Sequence, residues 1–251
     1  MKYTFVNANK PLYTLMIQKR TTAEILDVIE KGKKAGSDAF GIQFCQMLPS
    51  ERTRDNYRRI FDACGDFPTY VTNYRCKQNE GKSDETLCAE LLELVECGAT
   101  LVDVMGDMFC RTEGELTDNR DAIEKQKEFI DKVHKAGGEV LMSSHVLKYT
   151  DAERCLEIAK SHKERGADIS KIVTFANNNA EQIENLRIID KLKNELGLPF
   201  LFLCGGHCEA VRRIGALLGC CMWLCVYEHD ELSTHSQPRI DKLKAVIENF
   251  N

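Results

Sequence analysis

The chain has 251 residues, of which 34 are basic and 39 acidic, for a net charge of -5, and 43% are hydrophobic. This composition is typical of a globular protein and offers no basic surface for nucleic acid or for an anionic membrane. The segment from Met1 to Lys10 lacks an apolar signal region, and no apolar run approaches the ~18 residues of a membrane span. We therefore expect a cytoplasmic protein with no membrane or nucleic-acid partner.

Apolar runs alternate eight times with charged segments of helical period. The predicted strands are Tyr13–Ile17, Asp38–Phe44, Thr69–Tyr74, Leu101–Met105, Glu139–Ser143, Ile169–Phe175, Pro199–Leu203 and Cys221–Val226. The predicted helices lie near residues 21–35, 52–64, 84–97, 117–136, 151–166, 179–196, 208–218 and 239–249, with capping residues at Thr21 or Thr22, Ser83 and Thr150. Strict βα alternation over about 250 residues predicts an α/β protein, a (β/α)₈ TIM barrel, with residues 1–251 as one catalytic domain.

Twelve cysteines fall inside these apolar patterns, which predicts buried free thiols in a chain of this size. The segment Cys204 to Cys208 includes His207 and so contains zinc-binding residue types, but its spacing differs from that of structural zinc sites. A Gly205-Gly206 turn facing an anionic group is the better interpretation. With no dinucleotide or Walker A motif in the sequence, we predict neither a cofactor nor a metal.

In such a barrel, catalytic groups lie at the carboxyl ends of the strands. Polar residues at these positions are Gln43, Arg75, Asp103, His145, Lys171, Arg213 and the segment Ser233–Gln237.

Two of these residues, Lys171 and His145, indicate a catalytic site. Lys171 lies in a β-branched strand, where burial disfavours the charged form and leaves an amine able to attack a carbonyl carbon. The alternative is a lysine that extends from the strand end to solvent. His145 follows the preceding strand, so it would lie beside Lys171 and act as a proton shuttle. Its alternative is a structural histidine.

Several segments resemble the type I 3-dehydroquinate dehydratase family. Ser143-Ser144-His145, followed by Gly166 to Ile172 with Lys171, is similar to that family's catalytic histidine and lysine strands. The resemblance runs from about residue 10 to the C-terminus and includes Thr72–Arg75, Val102–Val104, Arg212–Ile214 and Ser233–Gln237.

The resemblance implies dehydration of a small keto-acid substrate by β-elimination through an imine on Lys171, with His145 moving the protons. It implies that Arg213 binds the substrate carboxylate and that Arg75 binds hydroxyl groups. The other implied roles are substrate contacts from Ser233, Gln237 and Asp103, with Glu80 as the acidic partner of His145, although Glu80 lies one residue farther from Arg75 than the family pattern has it. Gln43 is a further candidate substrate contact because of its place at the end of the second strand. Family members are often homodimers.

The sequence also departs from the family. The second strand reads Gly41 to Cys45, where the family generally has Glu-x-Arg-x-Asp, and Met105 replaces an acidic residue. Recognition of substrate hydroxyls must therefore differ on this side of the pocket. We leave open whether the substrate is 3-dehydroquinate or a related cyclic keto acid. The alternatives are a class I aldolase and a non-catalytic carboxylate-binding homologue.

Overall fold

The structure is a computed structural model that describes residues 3–206 and 209–250. These residues form eight strands that alternate with eight α-helices, which confirms the predicted barrel architecture. The strands are β1 (Leu12–Ile17), β2 (Ala39–Gln43), β3 (Thr69–Thr72), β4 (Leu101–Met105), β5 (Glu139–His145), β6 (Ile169–Ala176), β7 (Phe200–Gly206) and β8 (Met222–Cys225). The helices are α1 (Thr22–Lys34), α2 (Arg54–Cys64), α3 (Asp84–Glu96), α4 (Arg120–Lys135), α5 (Ala152–Glu164), α6 (Asn179–Glu195), α7 (Ala210–Leu218) and α8 (Ile240–Glu248).

The strands form one parallel sheet with the order β7-β6-β5-β4-β3-β2-β1-β8. Between the two ends of this order, the Cys221 N–H donates to the Phe200 carbonyl at 2.9 Å, so the sheet forms a nearly closed barrel. In the register of β5 and β6, Ser143 lies opposite Lys171 and His145 lies opposite Val173. The histidine therefore sits two residues farther toward the carboxyl end of the barrel than the lysine.

Local sequence signals set the helix starts. Thr21 and Glu24 form a capping box at the start of α1, as the sequence predicts. At α5 the cap is Asp151, which accepts from the Arg154 N–H, and not Thr150. Inside the barrel, a Cβ at Gly41 would lie 2.1 Å from the Met16 sulfur, so glycine leaves room for the Met16 side chain between β1 and β2.

Eleven cysteines lie among the described residues; all are free thiols and eight are buried. Gly205 and Gly206 are the last residues of β7 and pair with Phe175 and Ala176, so the turn predicted at these two glycines is wrong. His207 and Cys208 lie outside the described residues, so the zinc alternative at this segment stays a prediction. Over the described parts of the chain, no helix is both long and apolar enough to cross a membrane.

Candidate active site

A cavity of about 270 Å³ lies at the carboxyl ends of the strands. Its lining residues are Met16, Gln18, Gln43, Tyr70, Thr72, Tyr74, His145, Leu147, Lys171, Val173, Leu203, Arg212, Leu224, Thr234 and Gln237. A second cavity, of about 410 Å³, shares Tyr74, His145 and Leu147 with the first and extends over Arg75 and Glu115. Lys171 and His145 thus line the same cavity.

Lys171 is held at the cavity wall by three oxygen atoms. Its Nζ lies 2.7 Å from the Tyr74 hydroxyl, 3.0 Å from the Tyr70 hydroxyl and 3.0 Å from Oδ2 of Asp103. The side chains of Lys171 and Asp103 are 5% and 0% exposed, so this ion pair is shielded from water. The lysine therefore does not extend to solvent.

Asp103 accepts hydrogen bonds from three side-chain hydroxyl groups. The Tyr70 hydroxyl donates to Oδ2, the Tyr74 hydroxyl donates to Oδ2 at 2.6 Å, and the Ser143 hydroxyl donates to Oδ1 at 2.5 Å. Burial alone would raise the pKa of Asp103, but the charges of Lys171 and His145 and these hydrogen bonds outweigh burial and lower it. Asp103 is therefore a buried carboxylate.

The two tyrosines stay protonated at neutral pH. Burial, together with the negative charge of Asp103, raises the pKa of Tyr70 and of Tyr74 well above the usual value. The Tyr74 ring also packs edge-on against the His145 ring, with centroids 5.4 Å apart. Tyr74 is thus the residue that contacts both Lys171 and His145.

The acidic partner of His145 is Glu115, and not Glu80. Oε2 of Glu115 lies 2.6 Å from Nδ1 of His145 and accepts from the His145 backbone N–H at 3.2 Å. Glu80 is exposed, follows a 3₁₀ turn at Lys77–Asn79 and lines neither of the two cavities. A carboxylate on Nδ1 fixes the histidine tautomer and leaves Nε2 to exchange protons.

A tightly packed loop after β4 brings Glu115 to this position. A Cβ at Gly106 would lie 2.5 Å from the Glu115 carbonyl oxygen, so glycine is needed where the loop returns over the strand end. Glu115 itself has φ of 52°, a left-handed conformation that costs a non-glycine residue about 1–3 kcal/mol. Such strain is often found at functional sites.

Uncharged side chains line the opposite wall of the cavity. Nε2 of Gln18 donates to Oε1 of Gln43 at 2.9 Å and to the Thr234 hydroxyl at 2.8 Å, and the Thr234 N–H donates to Oε1 of Gln18 at 2.9 Å. Oε1 of Gln237 and the Thr72 hydroxyl are buried and have no hydrogen-bond partner among the described residues. This wall suits a ligand with neutral polar groups.

Arg212 lies at the cavity, whereas Arg213 does not line it. The Nε of Arg212 donates to the Cys204 carbonyl at 2.8 Å, and its terminal nitrogens have no acceptor in the described part of the chain. Arg213 is 41% exposed, pairs with Glu209 at 3.4 Å and lines a separate cavity with His229 and His235. The arginine that lines the cavity beside Lys171 is therefore Arg212, which directly precedes the residue expected from the sequence.

The remaining predicted residues are divided between the two cavities and the surface. Gln43 and Gln237 line the first cavity, and Arg75 lines the second, where it pairs with Asp84 and Asp107 at 2.7 Å. Ser233 binds Asp230 within its own loop, so Thr234 replaces it at the cavity wall.

A family model described as type I 3-dehydroquinase matches residues 13–249. The chain belongs to the type I 3-dehydroquinase family.

Individual relatives are distant. A 3-dehydroquinate dehydratase from Desulfotalea psychrophila is 27% identical over 112 residues, which cover 42% of this chain and 49% of that protein. The chain thus aligns with about half the length of this relative. Among solved structures, 3-dehydroquinate dehydratase from Geobacillus kaustophilus has a TM-score of 0.81 at 16% identity, covering 97% of this chain and 92% of that one. The enzyme from Enterococcus faecalis has a TM-score of 0.76 at 17% identity, with coverages of 97% and 95%.

Of the residues predicted from the sequence of this type I 3-dehydroquinase-family barrel, Lys171, His145, Gln43 and Gln237 line the first cavity, Asp103 contacts Lys171 and Arg75 lines the second cavity. The sequence did not single out Tyr70, Tyr74, Gln18, Glu115 or Arg212, which also line these cavities. For Glu115 the available signal was Gly106 directly after a predicted strand, because such a glycine marks a close approach of another backbone.

Proposed function

We propose that this protein is a hydro-lyase that dehydrates 3-dehydroquinate, or a related cyclic keto acid, through an imine on Lys171. The observation that carries the proposal is that Lys171 and His145 line one cavity in a member of the type I 3-dehydroquinase family. Imine formation turns a ketone into an electron sink, because the protonated nitrogen withdraws charge from the neighbouring carbon.

His145 would remove a proton from the carbon next to the imine. Glu115 on Nδ1 supports this role, because it leaves Nε2 as the basic nitrogen and stabilises the imidazolium that forms. The same imidazolium would then return a proton to the departing hydroxyl group, which leaves as water. Hydrolysis of the imine would free the enone product and regenerate Lys171.

Arg212 would bind the substrate carboxylate with its terminal nitrogens, since a planar guanidinium matches a carboxylate with two parallel hydrogen bonds. Gln18, Gln43, Thr234 and Gln237 would bind hydroxyl or carbonyl oxygens. The family generally has charged residues on the second strand, whereas this pocket wall is built from amides. Such a wall would favour a keto acid whose ring hydroxyls form hydrogen bonds with neutral groups. A site of this kind can discriminate between hydroxyl patterns by ~10⁴ or more.

The proposal includes residues 1–251 as one catalytic domain, a homodimeric assembly and a cytoplasmic location, in line with the resemblance. Size-exclusion chromatography with light scattering checks the dimer.

The decisive test is intact-mass spectrometry of the full chain after borohydride reduction with 3-dehydroquinate and with a panel of cyclic keto acids. We expect an adduct in the unmodified protein and none in Lys171→Ala. Lys148→Ala is the matched control, because Lys148 is a 63% exposed lysine that follows β5. Product absorbance measured in parallel should report formation of a conjugated double bond. A product of carbon–carbon cleavage would instead indicate an aldolase, and retained ligand binding without any adduct would indicate a binding protein.

A further inference from the structure

The hydrogen-bond arrangement at Lys171 corresponds to a protonated amine. An ammonium group has three donors, and the three are used by the Tyr70 oxygen, the Tyr74 oxygen and Oδ2 of Asp103. Both tyrosine hydroxyls donate their single proton to Asp103 and can therefore only accept from Lys171. Before Lys171 can attack a carbonyl carbon, one proton must leave this cluster or move within it.

Asp103 is the anion in contact with Nζ, and so it is the acceptor for that proton. Its side chain is 0% exposed, so it exchanges protons with a substrate only through a neighbouring group. Tyr70 is fully buried, whereas Tyr74 is partly exposed and lines both cavities. Tyr74 therefore offers the path between Asp103 and a substrate bound at Lys171.

His145 is a poorer candidate for this path. Its Nδ1 is bound to Glu115, and no hydrogen bond joins His145 to Lys171 or to Asp103 among the described residues. It contacts the cluster through the edge of the Tyr74 ring. Proton transfer at the carbon and proton transfer at the nitrogen are thus assigned to different side chains.

We infer that Tyr74 is a further catalytic residue, whose hydroxyl relays protons between Asp103 and the oxygen of the carbinolamine formed on Lys171. This inference rests on the imine chemistry of the proposed function. It concerns the steps that build the imine, which precede the elimination.

The steps balance in atoms and charge. Asp103 takes one proton from the Lys171 ammonium, and the neutral amine forms a bond to the carbonyl carbon, whose oxygen becomes an alkoxide. Tyr74 gives its proton to this oxygen as it receives the proton held by Asp103. Asp103 then takes a second proton from nitrogen, and Tyr74 passes it to the same oxygen, which leaves as water. The protonated imine keeps one N–H, and Asp103 is again a carboxylate.

Tyr70 provides a matched control, because Tyr70→Phe and Tyr74→Phe each remove one acceptor from Lys171 and one donor to Asp103. Both tyrosines line the first cavity, but Tyr70 is fully buried, whereas Tyr74 is partly exposed and also lines the second cavity. If the tyrosines only held the lysine in place, the two substitutions would have similar effects. A relay requires Tyr74 in particular.

The probe is acetaldehyde with cyanoborohydride, at reductant concentrations where the rate no longer depends on the reductant. The rate of modification at Lys171 is followed by peptide mass spectrometry in the full chain. We expect Tyr74→Phe to slow this rate by about 10²–10⁴-fold, the range for general acid–base catalysis, and Tyr70→Phe to slow it by less than about tenfold. Circular dichroism verifies that both variants keep the native fold.

Equal slowing in the two variants, an unchanged rate in Tyr74→Phe, or a Lys171 that acetaldehyde fails to modify in the unsubstituted protein would overturn the inference. Because acetaldehyde is a general carbonyl probe, this test is independent of the natural substrate. A protein that passes it but forms no adduct with 3-dehydroquinate or the cyclic keto acids contradicts the proposed function and not the relay.

Discussion

Oε2 of Glu115 lies 2.6 Å from Nδ1 of His145, although 30 residues separate the two in the sequence. The contact joins the loop after β4 to the end of β5. In a neutral imidazole this contact favours the proton on Nδ1 and the lone pair on Nε2, which is the tautomer that a proton-transferring histidine needs.

Glu115→Gln should therefore lower kcat with 3-dehydroquinate while leaving the borohydride-trapped adduct. An amide can accept or donate at Nδ1, so the wrong tautomer becomes populated and proton abstraction slows, by at most the ~10⁴-fold reported for such a change in a catalytic triad. Steady-state kinetics and trapping on the same preparation separate the two steps. Glu80→Gln is the control and should behave like the unsubstituted protein; a larger effect at Glu80 than at Glu115 would show that the pairing is misassigned.

Arg212→Gln should weaken productive binding of the carboxylate substrate far more than Arg213→Gln. Removing one partner of a buried charge pair costs about 2–5 kcal/mol, which corresponds to a loss in kcat/KM of roughly 30- to 5,000-fold. Arg213 is 41% exposed and lies outside the cavity, so its substitution should change kcat/KM by less than about threefold. The ranking of these two variants by kcat/KM checks the assignment, and the reverse ranking would restore Arg213 as the carboxylate ligand.

The two arginines illustrate what the sequence could and could not supply. Hydrophobic periodicity predicted all eight strands and helices, and it placed Lys171 on β6 and His145 at the end of β5, because strand order in a parallel barrel follows chain order. Adjacent residues on a helix point about 100° apart, so a one-residue shift in assigning α7 exchanges a cavity arginine for a surface one.

Glu115 was missed for another reason. Loops have no hydrophobic period, and the contact of Glu115 with His145 depends on a left-handed backbone conformation for which the sequence carries no recognisable signal at that residue.

The ion pair between Lys171 and Asp103 should also contribute to stability. Asp103→Asn leaves a buried ammonium without its counter-charge, and breaking a buried pair in this way costs about 3–5 kcal/mol of the free energy of unfolding. Lys171→Met should cost a similar amount, because it leaves a buried carboxylate. The double variant Lys171→Met/Asp103→Asn should recover much of that loss, since neither charge is left alone. Urea denaturation of the four proteins measures this coupling, and additive losses in the double variant would contradict it.

The same pair has a defined pH dependence. The folded state lowers the pKa of Asp103, so the unfolded chain binds its proton more readily, and the contribution to stability is present above the usual aspartate pKa of about 3.8. This contribution is lost as the pH falls below that value. The stability difference between the unsubstituted protein and Asp103→Asn should therefore shrink in urea titrations below about pH 4. A difference that stays constant down to pH 2 would mean that folding does not lower the pKa of Asp103.

Cys76 should be the most reactive thiol of the described chain. Its Sγ lies 3.6 Å from that of Cys45, and the hydrogen bond between these two thiols, aided by the charge of Lys77, lowers the pKa of Cys76 to about 7 against the opposing effect of burial. Because the thiolate is the nucleophile, the rate of alkylation by iodoacetamide should rise with pH, be half-maximal near pH 7 and level off above it.

Cys88 is the control for this measurement. Its pKa is raised by burial, so it should stay unmodified in the native protein. Peptide mass spectrometry across the pH range measures both sites. In Cys45→Ala the midpoint for Cys76 should move upward toward that of an ordinary thiol, since its hydrogen-bond partner is gone; an unchanged midpoint would leave Lys77 as the cause of the low pKa.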